Sequence, residues 1–288
     1  MTSDTRNIVL DIQNLSIHYG DAPAVTGAYL TLREGEKMAI VGESGSGKTS
    51  LANAVAGFLD PLVGSVRADR LDFRYTPLNR SIDPRRQPRI PVRTPGMSMV
   101  FQDAMHSLDP VWTIGSQLVA VLRGAERMTA RAARAAAVER LAAVGISDPG
   151  RVMRARPTEL SGGMRQRVMI AIAMASHPAL LIADEPTSAL DATLAVSTMQ
   201  LMVDLADREG TALLMITHDI ELCRRFTDTT VVMHQGRVVE TIASDRLDHA
   251  RNAYTRGLLA CVPTLETATL AELPTLQSIA PSKRTVAA

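Results

Sequence analysis

Lysine is nearly missing from this chain. Of 31 basic residues in 288, only Lys37, Lys48 and Lys283 are lysines, and the rest are arginines. Aromatic residues make up 3% of the sequence, with Trp112 the single tryptophan. The two cysteines, Cys223 and Cys261, stand far apart without a CxxC spacing. That excludes a disulfide framework and a thiolate metal site, and it fits reduced cysteines in a cytoplasmic protein. No long hydrophobic run exists: the longest, Val168–Ala175, falls far short of the ~20 residues a membrane-spanning helix needs. The N-terminal MTSDTRNIVLD has no basic stretch followed by an apolar core, so no secretory signal is expected. If the protein works at a membrane, separate subunits must supply the spanning helices. A formal charge of +1 leaves no global field to draw the chain to nucleic acid or to an anionic membrane.

Against that scarcity, Lys48 stands out. It lies in GESGSGKT (Gly42–Thr49), which has the form G-x-x-x-x-G-K-[ST] of a phosphate-binding loop. Glycines at Gly42, Gly45 and Gly47 let the backbone N–H groups of Glu43, Ser44, Ser46 and their neighbours turn inward around a phosphate chain. Lys48 reaches the β/γ-phosphates, and the Thr49 hydroxyl ligates Mg²⁺, with Ser50 next in line. A compact ammonium fits among phosphates where a planar guanidinium does not, so an arginine-rich chain keeps lysine here. The helix expected to open near Lys48 adds its own N–H groups and partial positive charge.

Four short apolar runs each end at a polar or glycine-rich residue. Met38–Val41 leads into the loop, Met97–Phe101 into Gln102, Leu180–Ala183 into Asp184 and Glu185, and Ala212–Ile216 into Thr217 and His218. Such runs suit strands buried on both faces of a mainly parallel sheet, and ligands of open α/β sheets bind beyond the carboxyl ends of the strands. The expected fold is α/β: a P-loop NTPase core with a mainly parallel sheet, an N-terminal antiparallel β segment (Ile8–Tyr19 and Ala28–Leu32) and an inserted helical subdomain at about 105–176. Thr129–Val144 reads as one of its helices, with Val138, Leu141 and Val144 on one stripe and Gly145 ending it. Thr230–His234 and Arg237–Glu240 flank Gln235-Gly236 as a hairpin. Arg74–Pro95 holds six arginines, one aspartate and five prolines and reads as a solvated basic loop without regular structure. Residues 1–262 form one expected domain, and 263–288 a loosely ordered tail.

Together with the loop, LSGGMRQR (Leu160–Arg167) and LLIADEPTSALD (Leu180–Asp191) resemble the ATP-binding subunits of ABC transporters. The resemblance covers roughly residues 8–262 and implies ATP as substrate, with Mg²⁺. It implies that Asp184 supports Mg²⁺ and that Glu185 orients or deprotonates the attacking water. Gln102 can offer an amide oxygen to Mg²⁺ and an N–H to the water, and His218 a ring N–H to the γ-phosphate. Both occur in the family's order, at strand ends. Tyr19, in HYG, falls where the family stacks an aromatic on adenine. Ser161, Gly162 and Gly163 open a helix and form a second anion site. In the family that segment faces the γ-phosphate held by a partner subunit, with Asp191 near the interface.

SGGMRQRVMIAIAMA, FQDAMHSLDPVWTIGSQL and YTRGLLACVP (Tyr254–Pro263) are similar to the peptide/nickel importer group. Departures are Ala104 and Asp109, where the group has proline and asparagine, and the lone Cys261, which excludes the iron–sulfur cluster of some members. The implied partners are a second ATPase subunit, expected to be a paralogue, two transmembrane permeases and an extracytoplasmic substrate-binding protein. The implied location is the cytoplasmic face of the bacterial inner membrane, and the implied cargo is peptides, nickel or a metal–chelator complex. A soluble ABC protein acting on ribosomes or DNA is the alternative, but those carry tandem ATPase domains or a splitting coiled coil, and this chain has neither. A non-hydrolysing regulatory subunit would have lost Glu185, His218 or the LSGG segment, and all are present.

Overall fold

The structure, a computed structural model, describes residues 7–59, 64–74, 76–78, 94–103, 107–188 and 190–262. Two sheets share the interior. In the first, β1 (Ile8–Tyr19) pairs antiparallel with β2 (Ala22–Arg33) on one side and with β4 (Gly64–Arg67) and β5 (Arg70–Phe73) on the other. β2 is longer than the expected Ala28–Leu32. Its first half is poor in strand formers, and the long β1 recruits it through a register broken by irregularities at Leu15 and Ile17. Thr76–Pro77 forms β6, a two-residue edge strand on β5, so the proline-rich stretch is not wholly irregular. Proline is tolerated there because an edge strand need not donate. The rest of that stretch, 79–93, lies outside the described residues, as do the tail from 263 and Ala104.

The second sheet adds β3 (Lys37–Val41), β7 (Met97–Val100), β8 (Leu180–Asp184), β9 (Ala212–Ile216), β10 (Thr229–His234) and β11 (Arg237–Ala243). Its order is β11-β10-β3-β9-β8-β7, parallel throughout except for the antiparallel hairpin strand β11. The continuous apolar runs are explained by burial on both faces. Met38, Ile40, Leu180, Ile182, Leu214 and Ile216 point to a core shared with the antiparallel sheet and with helix α1 (Lys48–Ala56). Ala39, Val41, Leu181, Ala183, Leu213 and Met215 point to a core filled by the other helices. The expected hairpin is present, with Gln235 and Gly236 both at positive φ (48° and 76°), as a twisted two-residue hairpin turn requires.

Those helices are α2 (Ile114–Ala125), α3 (Ala130–Ala143), α4 (Pro149–Val152), α5 (Gly162–Met174), α6 (Ala192–Glu209), α7 (Ile220–Phe226) and α8 (Ala253–Ala260). Helix α5 takes in the apolar run from Val168 up to its C-cap Ala175, and that half is buried nearly all round, which explains why it shows no polar face. Thr129 caps α3 through the Ala132 N–H, and its buried stripe is Ala133, Ala137 and Leu141, followed by Val144. Val138 is 38% exposed, a correction to the expected stripe. The alanines allow close approach of neighbouring helices, and the valine is left outside. Cys223 is buried and Cys261 half-buried, both as free thiols.

Candidate active site

Every candidate motif of the parallel sheet lies at the carboxyl end of a strand. The loop after β3 is forced into shape by its neighbours. Gly42 has φ 154°, and a Cβ there would sit 2.1 Å from the Met233 carbonyl oxygen of β10. Gly47, at φ 98°, caps α1, and a Cβ on it would lie 2.4 Å from the Ala24 carbonyl oxygen. Both obstacles are backbone, so only glycine fits. The Gly236 N–H donates to the Ser46 carbonyl at 3.1 Å, and Thr26 N–H to Gly236 at 2.7 Å, tying the loop to β2 and the β10–β11 turn.

Lys48, the first residue of α1, is buried. Its ammonium donates to the carbonyls of Gly42 and Glu43, both at 2.8 Å. Burial pulls its pKa below the usual lysine value, and the nearby carboxylates of Glu185, Asp184 and Glu43 work against that pull. The Thr49 hydroxyl donates to Asp184 at 3.2 Å, joining the start of α1 to the end of β8. Asp184 is pushed above the usual carboxylate range by burial and by the Glu185 charge, while the Thr49 hydroxyl and Lys48 offset part of the shift. The Ser46 hydroxyl is buried without a hydrogen-bond partner inside the loop.

Glu185 follows directly, in a left-handed backbone conformation (φ 45°) uncommon for a glutamate. Its N–H donates to the Ile216 carbonyl of β9 at 2.9 Å, and its carbonyl accepts from the Ser188 N–H and hydroxyl. These bonds hold the strained residue in place. Two side chains meet its carboxylate: the Gln102 amide donates to it at 3.3 Å, and His218 Nδ1 lies 3.6 Å away. Three strand ends, those of β7, β8 and β9, therefore converge on one carboxylate.

Tyr19, at the end of β1, has an exposed ring, and its hydroxyl donates to Ser50 at 3.3 Å. Ser161 caps α5 by accepting from the Met164 N–H at 3.4 Å, and with Gly162 it is exposed at that helix's N-terminus. Asp191 caps α6 through the Leu194 N–H at 2.9 Å. Neither end makes a described hydrogen bond to the phosphate loop of the same chain. Two residues escaped the sequence reading. Tyr254 of α8 reaches the Glu43 N–H at 3.2 Å, and its ring lies against His234 with centroids 3.9 Å apart.

Trp112 is 55% exposed, so it does not fill the core. Asp109 accepts from the Val111 and Trp112 N–H groups, and the Gln117 amide donates to the carbonyls of Asp109 and Trp112. This turn presents Trp112 on the rim of a groove of about 840 Å³ along α2, with Val119, Arg123 and Met128 on its walls.

A glycine loop that only glycine can form, a buried lysine against it, and a Thr49–Asp184 pair define a P-loop nucleoside triphosphatase. The buried, unpartnered Ser46 hydroxyl and the crowded glycines fit a phosphate chain. Thr49, Gln102 and Asp184 are hard oxygen donors of the kind Mg²⁺ takes beside substrate phosphates. Comparison with known proteins narrows the class. The family described as ABC transporter matches residues 25–188. The dipeptide transport ATP-binding protein DppD of Escherichia coli K12 is 40% identical over 260 residues, covering 88% of this chain and 78% of that protein. The oligopeptide transport ATP-binding protein OppD of Bacillus subtilis is 38% identical over 278 residues, 95% of this chain and 77% of that protein. The ATP-binding cassette MJ0796, solved as a post-hydrolysis dimer bound to ADP and Pi, superposes with a TM-score of 0.64 at 28% identity. That match covers 82% of this chain and 98% of MJ0796. The chain belongs to the ABC transporter family, and its activity is that family's ATP hydrolysis. Among the described residues, no helix is long and apolar enough to cross a membrane.

Proposed function

We propose that this chain drives peptide uptake, working beside a second ATPase subunit on the cytoplasmic face of a bacterial inner membrane. The observation that carries the reading is the convergence of Gln102, Glu185 and His218 at the mouth of the Lys48 loop. ATP hydrolysis needs in-line attack by water while negative charge builds on the transferred phosphoryl group, so positioning and electrostatics do nearly all the work. Unlike the sequence expectation, the Glu43 N–H is taken by the Tyr254 hydroxyl, so the other loop amides and Lys48 hold the β- and γ-phosphates, and the exposed Tyr19 ring stacks on adenine. Thr49, Asp184 and Gln102 hold Mg²⁺, which when bound supplies positive charge to the phosphate oxygens. Glu185 orients or deprotonates the water, and Gln102 and His218 fix its carboxylate and contact the reacting groups.

The Ser161–Gly163 helix start serves the nucleotide of the partner subunit, with Asp191 shaping the same interface. Relatives named for dipeptide and oligopeptide transport support peptides as the cargo, and nickel or a metal–chelator complex remains the alternative cargo that the sequence resemblance implies. Permeases and an extracytoplasmic binding protein complete the assembly, with Trp112 on the groove that receives a permease segment. The test is purification of the complex through a tag on this chain. Two membrane-spanning subunits, a paralogous ATPase, and hydrolysis stimulated by a peptide-loaded binding protein are expected. Recovery with ribosomes or DNA, and without membrane subunits, would overturn the proposal.

A further inference from the structure

Helix α8 lies more than 200 residues from the phosphate loop in sequence, yet it touches the loop. Its start is fixed to β11: the Arg251 and Asn252 N–H groups donate to the Glu240 carboxylate at 2.7 and 3.2 Å, and the Asn252 amide to the Val239 carbonyl at 3.3 Å. Asn252 in turn caps Tyr254 N–H at 2.8 Å. This anchoring lays the Tyr254 ring on His234, the last residue of β10, with the planes 30° apart. The Tyr254 hydroxyl then accepts from the Glu43 N–H.

That N–H and the Gly42 carbonyl belong to one peptide unit. The carbonyl accepts from the Lys48 ammonium at 2.8 Å, and the N–H donates to Tyr254 at 3.2 Å. The peptide plane is therefore held at both ends. If the Tyr254 end is released, the plane can rotate and turn its carbonyl away from Lys48. The preceding Gly42, without a Cβ, offers little resistance to such a rotation.

We propose that Tyr254 is a positioning residue for the phosphate loop, through which the C-terminal helix sets the affinity for nucleotide. This rests on the reading of that loop as the nucleotide site. Tyr254 touches no reacting atom, so its removal acts on binding and leaves the chemical step alone. The experiment uses the full chain, with a fluorescent ATP analogue for affinity and the assembled complex for hydrolysis. Tyr254→Phe keeps the ring on His234 and removes only the hydroxyl. The loss of one hydrogen bond to a loop amide predicts an affinity about threefold to tenfold weaker, KM for ATP raised by a similar factor, and kcat within about twofold. Wild-type affinity in Tyr254→Phe would overturn the proposal. Lys48→Ala separates it from the site reading: undiminished binding there would sink the site itself, whereas loss there with normal Tyr254→Phe sinks only the role of Tyr254. Hydrogen exchange of the Glu43 amide in the wild-type chain gives a second readout. Slow exchange is expected, and exchange as fast as that of an exposed loop amide would contradict the bond.

Discussion

Asp184 and Lys48 carry their charges where burial opposes both. The raised Asp184 pKa means that the folded chain holds this proton more tightly than the unfolded chain does. Stability therefore falls as pH rises from the ordinary carboxylate range through the raised value. Asp184→Asn keeps an oxygen for the Thr49 hydroxyl and removes the buried charge. We expect the nucleotide-free variant to melt higher than wild type at pH 7, by a few degrees at most, and the difference to vanish below the carboxylate range. A lower melting temperature at pH 7 would show that Asp184 stabilises the free chain. In the proposed mechanism the same variant should also lose Mg²⁺-dependent hydrolysis, a trade of function for stability. At this scale the sequence named Lys48, Thr49, Asp184 and Glu185 because each stands in a local string. Tyr254 and His234 could not be read the same way. The Tyr254 bond to Glu43 and its ring against His234 join segments distant in sequence, and no spacing rule reaches across them.

Single elements show where pattern reading works and where it stops. The parallel strands were legible because burial on both faces leaves an unbroken apolar run, and the hairpin because Gln-Gly sits between two such runs. The first half of β2 was not, since pairing with β1 overrides its weak strand propensity. In α3 a β-branched residue drew attention, while the packed face is built of alanines that carry little signal. Leu141→Ala should cost about 2–5 kcal/mol as a buried large-to-small change. Val138→Ala should cost no more than about 0.5 kcal/mol, as an exposed one. Denaturant unfolding of the two variants checks the orientation of the helix, and equal losses would refute it. Trp112 makes the opposite case: the lone tryptophan, a large aromatic of a size to fill the helical core, stands 55% exposed at the groove. A tryptophan held outward by Asp109 and Gln117 suits a binding hot spot, where truncation costs about 2 kcal/mol or more. Trp112→Ala should leave the thermal melt of the chain unchanged and weaken co-purification of the permeases. Undiminished assembly and transport would reject the docking role.

At the scale of the whole molecule, the proposed assembly turns on the start of α5. The N-terminus of α5 is exposed and capped by Ser161, and it makes no described hydrogen bond to the loop of its own chain. In the proposed assembly it closes over nucleotide held by the partner, so ATP binding draws two subunits together and hydrolysis releases them. In that assembly, hydrolysis at Glu185 is coupled to movement of cargo. The direct measurement is ATP-driven uptake of labelled dipeptide by vesicles containing the complete complex, with wild-type chain or Glu185→Gln. The variant keeps the loop, Lys48 and the Thr49–Asp184 pair, so it should bind ATP normally. Both hydrolysis and uptake should fall together, by about 100-fold or more, as expected for loss of a general base. Uptake or hydrolysis persisting near the wild-type rate in Glu185→Gln would contradict the account.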